Sequence, residues 1–163
     1  MGKIKFLVMD VDGTLTDGKI YMGQNGEVAK AFDIKDGCGI SSILPELRII
    51  PVVITARNSK IVENRCKELN IEELYQGSKN KLFTLNNLLE KNHSNLENVA
   101  YIGDDLPDIQ CMKAVKDAGG LVLCPADAIS EIRNIADFVS CKNGGNGAVR
   151  ECIDYISSGN EER

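Results

Sequence analysis

The sequence predicts an α/β domain that spans residues 1–163, with a parallel sheet covered by helices on both faces. Two patterns predict it. Continuous apolar runs rich in Val, Ile and Leu recur along the chain, as buried parallel strands do. Helical stretches separate them, and alternation repeated this often implies βαβ units in three layers. Size agrees: 163 residues, 43% of them hydrophobic, can build one core without disulfides or a structural metal.

In chain order, the strand-like runs are 4–9, Ile50–Ile54, Glu73–Tyr75, Val99–Ile102, Leu121–Cys124 and Phe138–Val139. Helical patterns cover 39–47, 60–69, 79–90, 107–115 and 148–157. One segment breaks the alternation: 19–22 and 28–32 flank Asn25-Gly26, a good hairpin signal. That hairpin leaves the loop after the first strand, where open α/β sheets bind ligands, so a flap or an oligomer contact is expected there. Only the tail from Ser157 reads as fraying.

Charge and composition exclude several functions. A net charge of -5 argues against a nucleic-acid or anionic-membrane partner. It also means that an anionic substrate needs a metal or a few placed cations. No apolar run reaches the ~20 residues of a membrane span. The N-terminus lacks a signal-peptide pattern, and Phe6 stands where a myristoylation motif after Met1-Gly2 wants Ser or Thr. The chain therefore reads as cytoplasmic. Cys38, Cys66, Cys111, Cys124, Cys141 and Cys152 are scattered and the one histidine is His93, so no zinc site is expected, only idle or buried thiols.

The chemistry concentrates in Asp10-Val11-Asp12-Gly13-Thr14-Leu15-Thr16, directly after the first strand. Two carboxylates at a strand end repel unless something offsets their charge. Mg2+, a hard cation that favours oxygen ligands and retains water, would do so. Alone, Asp-x-Asp-Gly could be an Asx-rich turn; the continuation through Thr16 makes it more specific.

This segment resembles the first motif of the haloacid dehalogenase superfamily. Three further motifs follow in order: the strand Val53-Ile54-Thr55-Ala56-Arg57, then Lys81 after Gln76-Gly77-Ser78, then Ile102-Gly103-Asp104-Asp105-Leu106-Pro107-Asp108. The resemblance implies a Rossmann-like sheet and a phosphatase mechanism. Asp10 becomes the nucleophile and Asp12 the general acid and base. Mg2+ is held by the Asp10 carboxylate, the Asp12 main-chain carbonyl and Asp104. Thr55 and Lys81 bind phosphate; the resemblance favours Lys81 over Lys79 because relatives keep the lysine four residues after the glycine that matches Gly77. Asp108 supports Lys81 or a metal-bound water, and Asp105 either supports the ligands or caps a helix.

Large cap domains exclude water in much of this superfamily, and this chain has room for none. It resembles the capless branch that hydrolyses 3-deoxy-D-manno-octulosonate 8-phosphate or nonulosonate 9-phosphates, which forms homotetramers with the hairpin at the interface. Lys35-Asp36-Gly37-Cys38-Gly39-Ile40 and Gly144-Gly145-Asn146-Gly147-Ala148-Val149-Arg150-Glu151 match that branch; the latter lacks the spacing of a dinucleotide loop. Octulosonate phosphatases usually carry a Gly-Arg pair where this chain has Ala56-Arg57, and several nonulosonate relatives have an acidic residue at the Arg57 position; Arg57, which can pair bidentately with a sugar carboxylate, therefore tilts the expected substrate to the octulosonate ester. Arg65 matches a position that reaches a neighbour's site in relatives. Ala56 departs from the Gly usual there. The residues disfavour two other classes. A phosphorylatable receiver needs a lone acceptor Asp at a later strand, which is missing. A silent tetramerisation module is disfavoured by intact Asp10, Asp12, Thr55, Lys81 and Asp104.

Overall fold

The computed structural model describes residues 4–161. Met1-Gly2, which carry the N-terminal reading, and the last two residues of the expected tail lie outside the described residues. Six parallel strands form one sheet in the order β5-β4-β1-β6-β7-β8. They are β1 Phe6–Met9, β4 Ile50–Ile54, β5 Glu73–Tyr75, β6 Val99–Ile102, β7 Leu121–Cys124 and β8 Phe138–Val139. β2 Tyr21–Gly23 and β3 Gly26–Ala29 form a separate antiparallel hairpin. The helices are α1 Ile34–Cys38, α2 Leu44–Leu47, α3 Lys60–Glu68, α4 Lys81–Lys91, α5 Ile109–Asp117, α6 Ser130–Ile135 and α7 Ala148–Glu161. The hairpin is the one insert between β1 and α1 in which strands form, and no large cap domain is present among the described residues. No helix among them is long and apolar enough to cross a membrane.

The period-2 geometry of a strand explains why both faces are apolar. Leu7, Met9, Val53, Ala100, Ile102 and Leu123 face one core with Ile40, Leu44, Val62, Val149 and Ile153. Phe6, Val8, Val52, Ile54, Tyr101 and Val122 face the other, with Leu85, Leu88, Met112, Val115 and Ile132. The three layers follow from that division.

Several boundaries differ from the sequence reading, each for a local reason. The first strand starts at Phe6 rather than residue 4. The helix expected over 39–47 begins at Ile34, because Asp33 accepts from the Lys35 and Asp36 amides and caps it. It then continues to Leu47 through a wider turn at Gly39–Ile43. The helix expected from 79 begins at Lys81 behind the Asn80 cap. The stretch 107–115 divides into a 3-10 turn at Leu106–Asp108 and α5. α6 has no counterpart in the sequence reading, and α7 continues through the expected fray as far as Glu161. The hairpin turns at Gln24-Asn25, one residue before the expected Asn25-Gly26, and Gly26 takes the positive φ of 114° that follows.

Asp36 ties α1 to α7. It is 2% exposed, its Oδ1 accepts the Arg150 amide at 2.8 Å, and its Oδ2 has no partner. Burial pushes its carboxyl up to about 6, against the opposing amide bond and with a further push from Asp33. A raised folded-state value means that the stabilisation is full below the unfolded-state pKa, about 3.9, and is lost as pH rises through 6. Asp36→Asn keeps an acceptor and cannot ionise. In saturating Mg2+ its melting temperature should therefore fall less than the parent's between pH 4 and 7. A parallel pair of melting curves would refute that origin of the pH dependence.

Candidate active site

Strand register assembles the site. β1 lies between β4 and β6, with Met9 opposite both Val53 and Ile102. Asp10, Thr55 and Asp104 therefore emerge side by side at the carboxyl ends of three adjacent strands. The Asp10 amide donates to the Ile102 carbonyl at 3.1 Å, and the Thr55 amide to that of Tyr75 at 2.9 Å. After Asp10 the chain turns tightly: Gly13 takes φ of 91°, and the Thr16 amide returns to the Val11 carbonyl at 3.0 Å. A Cβ at Gly13 would overlap the Asp104 carboxylate, so glycine is required for space as well as conformation. Thr14 Oγ1 donates to Asp104 Oδ1 at 3.1 Å and fixes the facing carboxylate.

Lys81, 4% exposed at the start of α4, places its ammonium 2.8 Å from Asp10 Oδ1 and 2.8 Å from Asp108 Oδ1. Lys79 is exposed. Asp108 is fully buried and fully engaged: Tyr101 Oη also donates to its Oδ1 at 2.8 Å, and the Asp104 amide to its Oδ2 at 3.2 Å. Asp105 is exposed and caps the 3-10 turn, accepting the Leu106 amide at 2.7 Å. Thr55 is 2% exposed at the end of β4.

The electrostatics show what this cluster lacks. Carboxylate oxygens of Asp10, Asp104 and Asp108 lie within 4.8 Å of one another, with Lys81 as the cation among them. Burial, then Asp108, raises the Asp10 carboxyl to about 6 despite Lys81. Burial, then Asp10 and Asp108, raises Asp104 to about 8. Burial pulls the Lys81 ammonium down, but Asp10 and Asp108 outweigh it and hold it above the usual lysine value. A negative surplus of hard oxygen donors at a strand edge fits a divalent cation such as Mg2+. Asp10 and Asp104 have oxygens to offer it, whereas those of Asp108 are taken. The resemblance gives Asp12 a main-chain carbonyl at the ion, while its carboxylate pairs with Lys30.

The Asp12 carboxylate belongs to a second group that the sequence reading missed. Lys30, whose side chain is fully buried, donates to Asp12 Oδ1. Glu27 Oε2 lies 3.0 Å from Lys30 and 3.5 Å from Arg57, and Arg57 Nε is 3.9 Å from Asp12 Oδ2. Ser59 Oγ donates to Glu27 Oε1 at 2.7 Å. Arg57 is thus brought to the site with half its side chain in solvent. Arg65 is not: it pairs with Glu68 at 2.9 Å, donates to the Asp33 carbonyl at 3.4 Å and lies 5.6 Å over the Phe32 ring.

Comparisons with known proteins identify the family. A family model described as haloacid dehalogenase-like hydrolase matches residues 48–152, more than half of the chain. This chain is a haloacid dehalogenase-like hydrolase. It is 48% identical over 153 residues to the 3-deoxy-D-manno-octulosonate 8-phosphate phosphatase of Salmonella typhi, covering 94% of this chain and 79% of that one. The corresponding crystal structure from Yersinia pestis matches with a TM-score of 0.87 and 44% identity, over 94% of this chain and 80% of that one. A structure of the Moraxella catarrhalis phosphatase with magnesium, phosphate and the sugar acid matches with a TM-score of 0.88 and 39% identity, over 95% and 86% of the two chains.

In this hydrolase the Gly144-Gly145 loop backs the Asp10–Thr16 turn. The Gly145 amide donates to the Thr14 carbonyl at 3.2 Å, and the Gly144 amide to Asp127 Oδ1 at 2.9 Å. A Cβ at Gly144 would overlap the Gly13 carbonyl oxygen and lie 2.6 Å from its carbon. Backbone cannot swing away as a side chain can, so Gly144→Ala must displace the turn that carries Asp12. We expect a loss of roughly 1–3 kcal/mol of stability and at least ~10-fold slower Mg2+-dependent turnover. Parental melting and turnover would show that the two loops are not coupled.

Proposed function

We propose that this chain is a Mg2+-dependent phosphatase that hydrolyses 3-deoxy-D-manno-octulosonate 8-phosphate through a phosphoryl group carried on Asp10. One observation carries the mechanism: a buried carboxylate at a strand end, ion-paired to Lys81 and sharing a cation-deficient cluster with Asp104. The identity to the Salmonella typhi phosphatase and the sugar-acid complex from Moraxella catarrhalis support the substrate. The whole chain serves as one catalytic domain.

Mg2+, held by Asp10, Asp104 and the Asp12 carbonyl, would neutralise charge on the phosphoryl oxygens. The protein's own groups do the rest. Asp10 attacks phosphorus while the sugar oxygen departs with the bonding pair and takes a proton from Asp12. Asp12 then removes a proton from the water that attacks the aspartyl phosphate, and Asp10 is released with inorganic phosphate. Lys81 and Thr55 hold phosphoryl oxygens, and Lys81 also orients Asp10. Asp108 keeps Lys81 charged and aimed, while Asp105 serves the turn. Half-exposed Arg57, beside Asp12, is placed to receive the substrate's carboxylate.

The site needs cover from water, and a hairpin alone offers little. Ile20, Tyr21, Met22 and Val28 of the hairpin region are 44%, 40%, 64% and 62% exposed, an apolar surface suited to a neighbour. We infer a homotetramer that elutes at four times the chain mass, in which Arg65 serves substrate only across a subunit boundary. An active monomer would remove that reading. The free thiols and the phosphorylated substrate suit the cytoplasm.

The deciding experiment is kcat/KM over three classes of substrate: the octulosonate 8-phosphate, nonulosonate 9-phosphates and simple sugar phosphates. We expect the first to win, and to beat the simple sugar phosphates, which offer Arg57 no carboxylate, by at least ~10-fold, one good charged contact being worth about 1.5–3 kcal/mol. A nonulosonate ester in first place would transfer the assignment to the sibling activity.

A further inference from the structure

Lys30 lies outside the motifs, in the segment that returns from the hairpin. A lysine whose side chain is wholly buried loses both hydration and rotamer freedom, so its position must be built by its partners. The partners here are two carboxylates. Its ammonium donates to Asp12 Oδ1 and lies 3.0 Å from Glu27 Oε2. Glu27 is held in turn by the Ser59 hydroxyl at 2.7 Å and by Arg57 at 3.5 Å. Both Glu27 and Lys30 come from the hairpin's returning side, while Asp12, Arg57 and Ser59 belong to loops of the parallel sheet. Docking the hairpin therefore closes a ring of alternating charge around Asp12.

We propose that Lys30 is a positioning residue for Asp12: it occupies Oδ1 and leaves Oδ2, on the Arg57 side, as the oxygen that exchanges a proton with substrate. The inference rests on the reading of Asp12 as general acid. In that step the Asp12 O–H bond breaks, the sugar O–H bond forms and the P–O bond to the sugar cleaves with its electrons going to oxygen. Asp12 is left as a carboxylate, and the Lys30 ammonium stands beside the charge that appears. The hairpin thereby becomes part of the proton-transfer apparatus as well as a cover.

The leaving group supplies the test. A sugar alkoxide needs its proton as the P–O bond breaks, whereas p-nitrophenolate is stable without one. A fold defect slows both substrates alike; a misplaced acid slows the sugar phosphate more. The measurement is kcat on 3-deoxy-D-manno-octulosonate 8-phosphate divided by kcat on p-nitrophenyl phosphate, in saturating Mg2+. Lys30→Met should lower this ratio at least ~10-fold, within the range general acids contribute. Lys30→Arg, which keeps a cation, should recover most of it. In an Asp12→Asn background Lys30→Met should lower it no further. Should Lys30→Met fail to fold, Glu27→Gln loosens Lys30 from its other side and should lower the ratio by a smaller factor. Equal losses on both substrates, or full additivity with Asp12→Asn, would overturn the proposal. If Asp12→Asn leaves the ratio intact, the general-acid reading itself falls. If Asp12→Asn lowers it and Lys30→Met does not, only the role of Lys30 falls.

Discussion

Asp10→Asn is expected to abolish Mg2+-dependent phosphate release while leaving the fold intact. The substitution keeps the shape of the side chain and removes the one oxygen nucleophile that stands 2.8 Å from Lys81 at the end of β1. The nearest carboxylate, Asp108, is no substitute, because it is saturated by Lys81, Tyr101 and the Asp104 amide. Losing a nucleophile outright should cost on the order of 10^3-fold or more in kcat. Stability should move the other way in metal-free buffer. Burial and Asp108 raise the Asp10 carboxyl to about 6, so its stabilising contribution is lost as pH rises through that value. A neutral amide escapes the loss, and at pH 8 without Mg2+ the variant should melt no lower than the parent. Near-normal turnover in Asp10→Asn, measured as phosphate release with excess Mg2+, would remove the covalent mechanism.

The parallel sheet was legible because each strand is a contiguous apolar run, a signal that needs no partner to be read. β4 to β8 fall on the expected residues, and Asp10, Thr55, Lys81 and Asp104 converge because all four follow strands whose order the motifs preserve. α6 escaped notice because six residues hold less than two turns of periodicity. The motif resemblance gives roles to Asp104 and Asp108 but leaves Asp105 open, and residue type alone does not separate the three. Burial does, leaving Asp108 fully enclosed and Asp105 exposed as a cap. Lys30 was illegible for a different reason. Its partner is 18 residues away, and only the fold-back of the hairpin joins them. Asp36 likewise meets the Arg150 amide across 114 residues, a cap that no local pattern could announce.

Lys81→Met should produce the other large effect, because it withdraws the ammonium that touches both Asp10 and Asp108. Those two carboxylates and Asp104 would then share a buried space with no cation from the protein. Breaking a buried ion pair by removing one partner costs roughly 3–5 kcal/mol. The loss should be worst at alkaline pH, where Asp104, already pushed up to about 8 by burial and its two neighbours, is fully ionised. Added Mg2+ supplies positive charge to the same cluster and should recover much of the melting temperature. It should not recover turnover, because the ammonium also aims Asp10 and holds the transferring phosphoryl group. A loss of about 10^2–10^3-fold in kcat is expected to persist at saturating Mg2+, the usual cost of removing one such donor. Melting and turnover measured against Mg2+ concentration thus separate the two duties of one lysine. If Mg2+ restored both together, Lys81 would be only a counter-ion, and the phosphoryl group would have to be held by other groups.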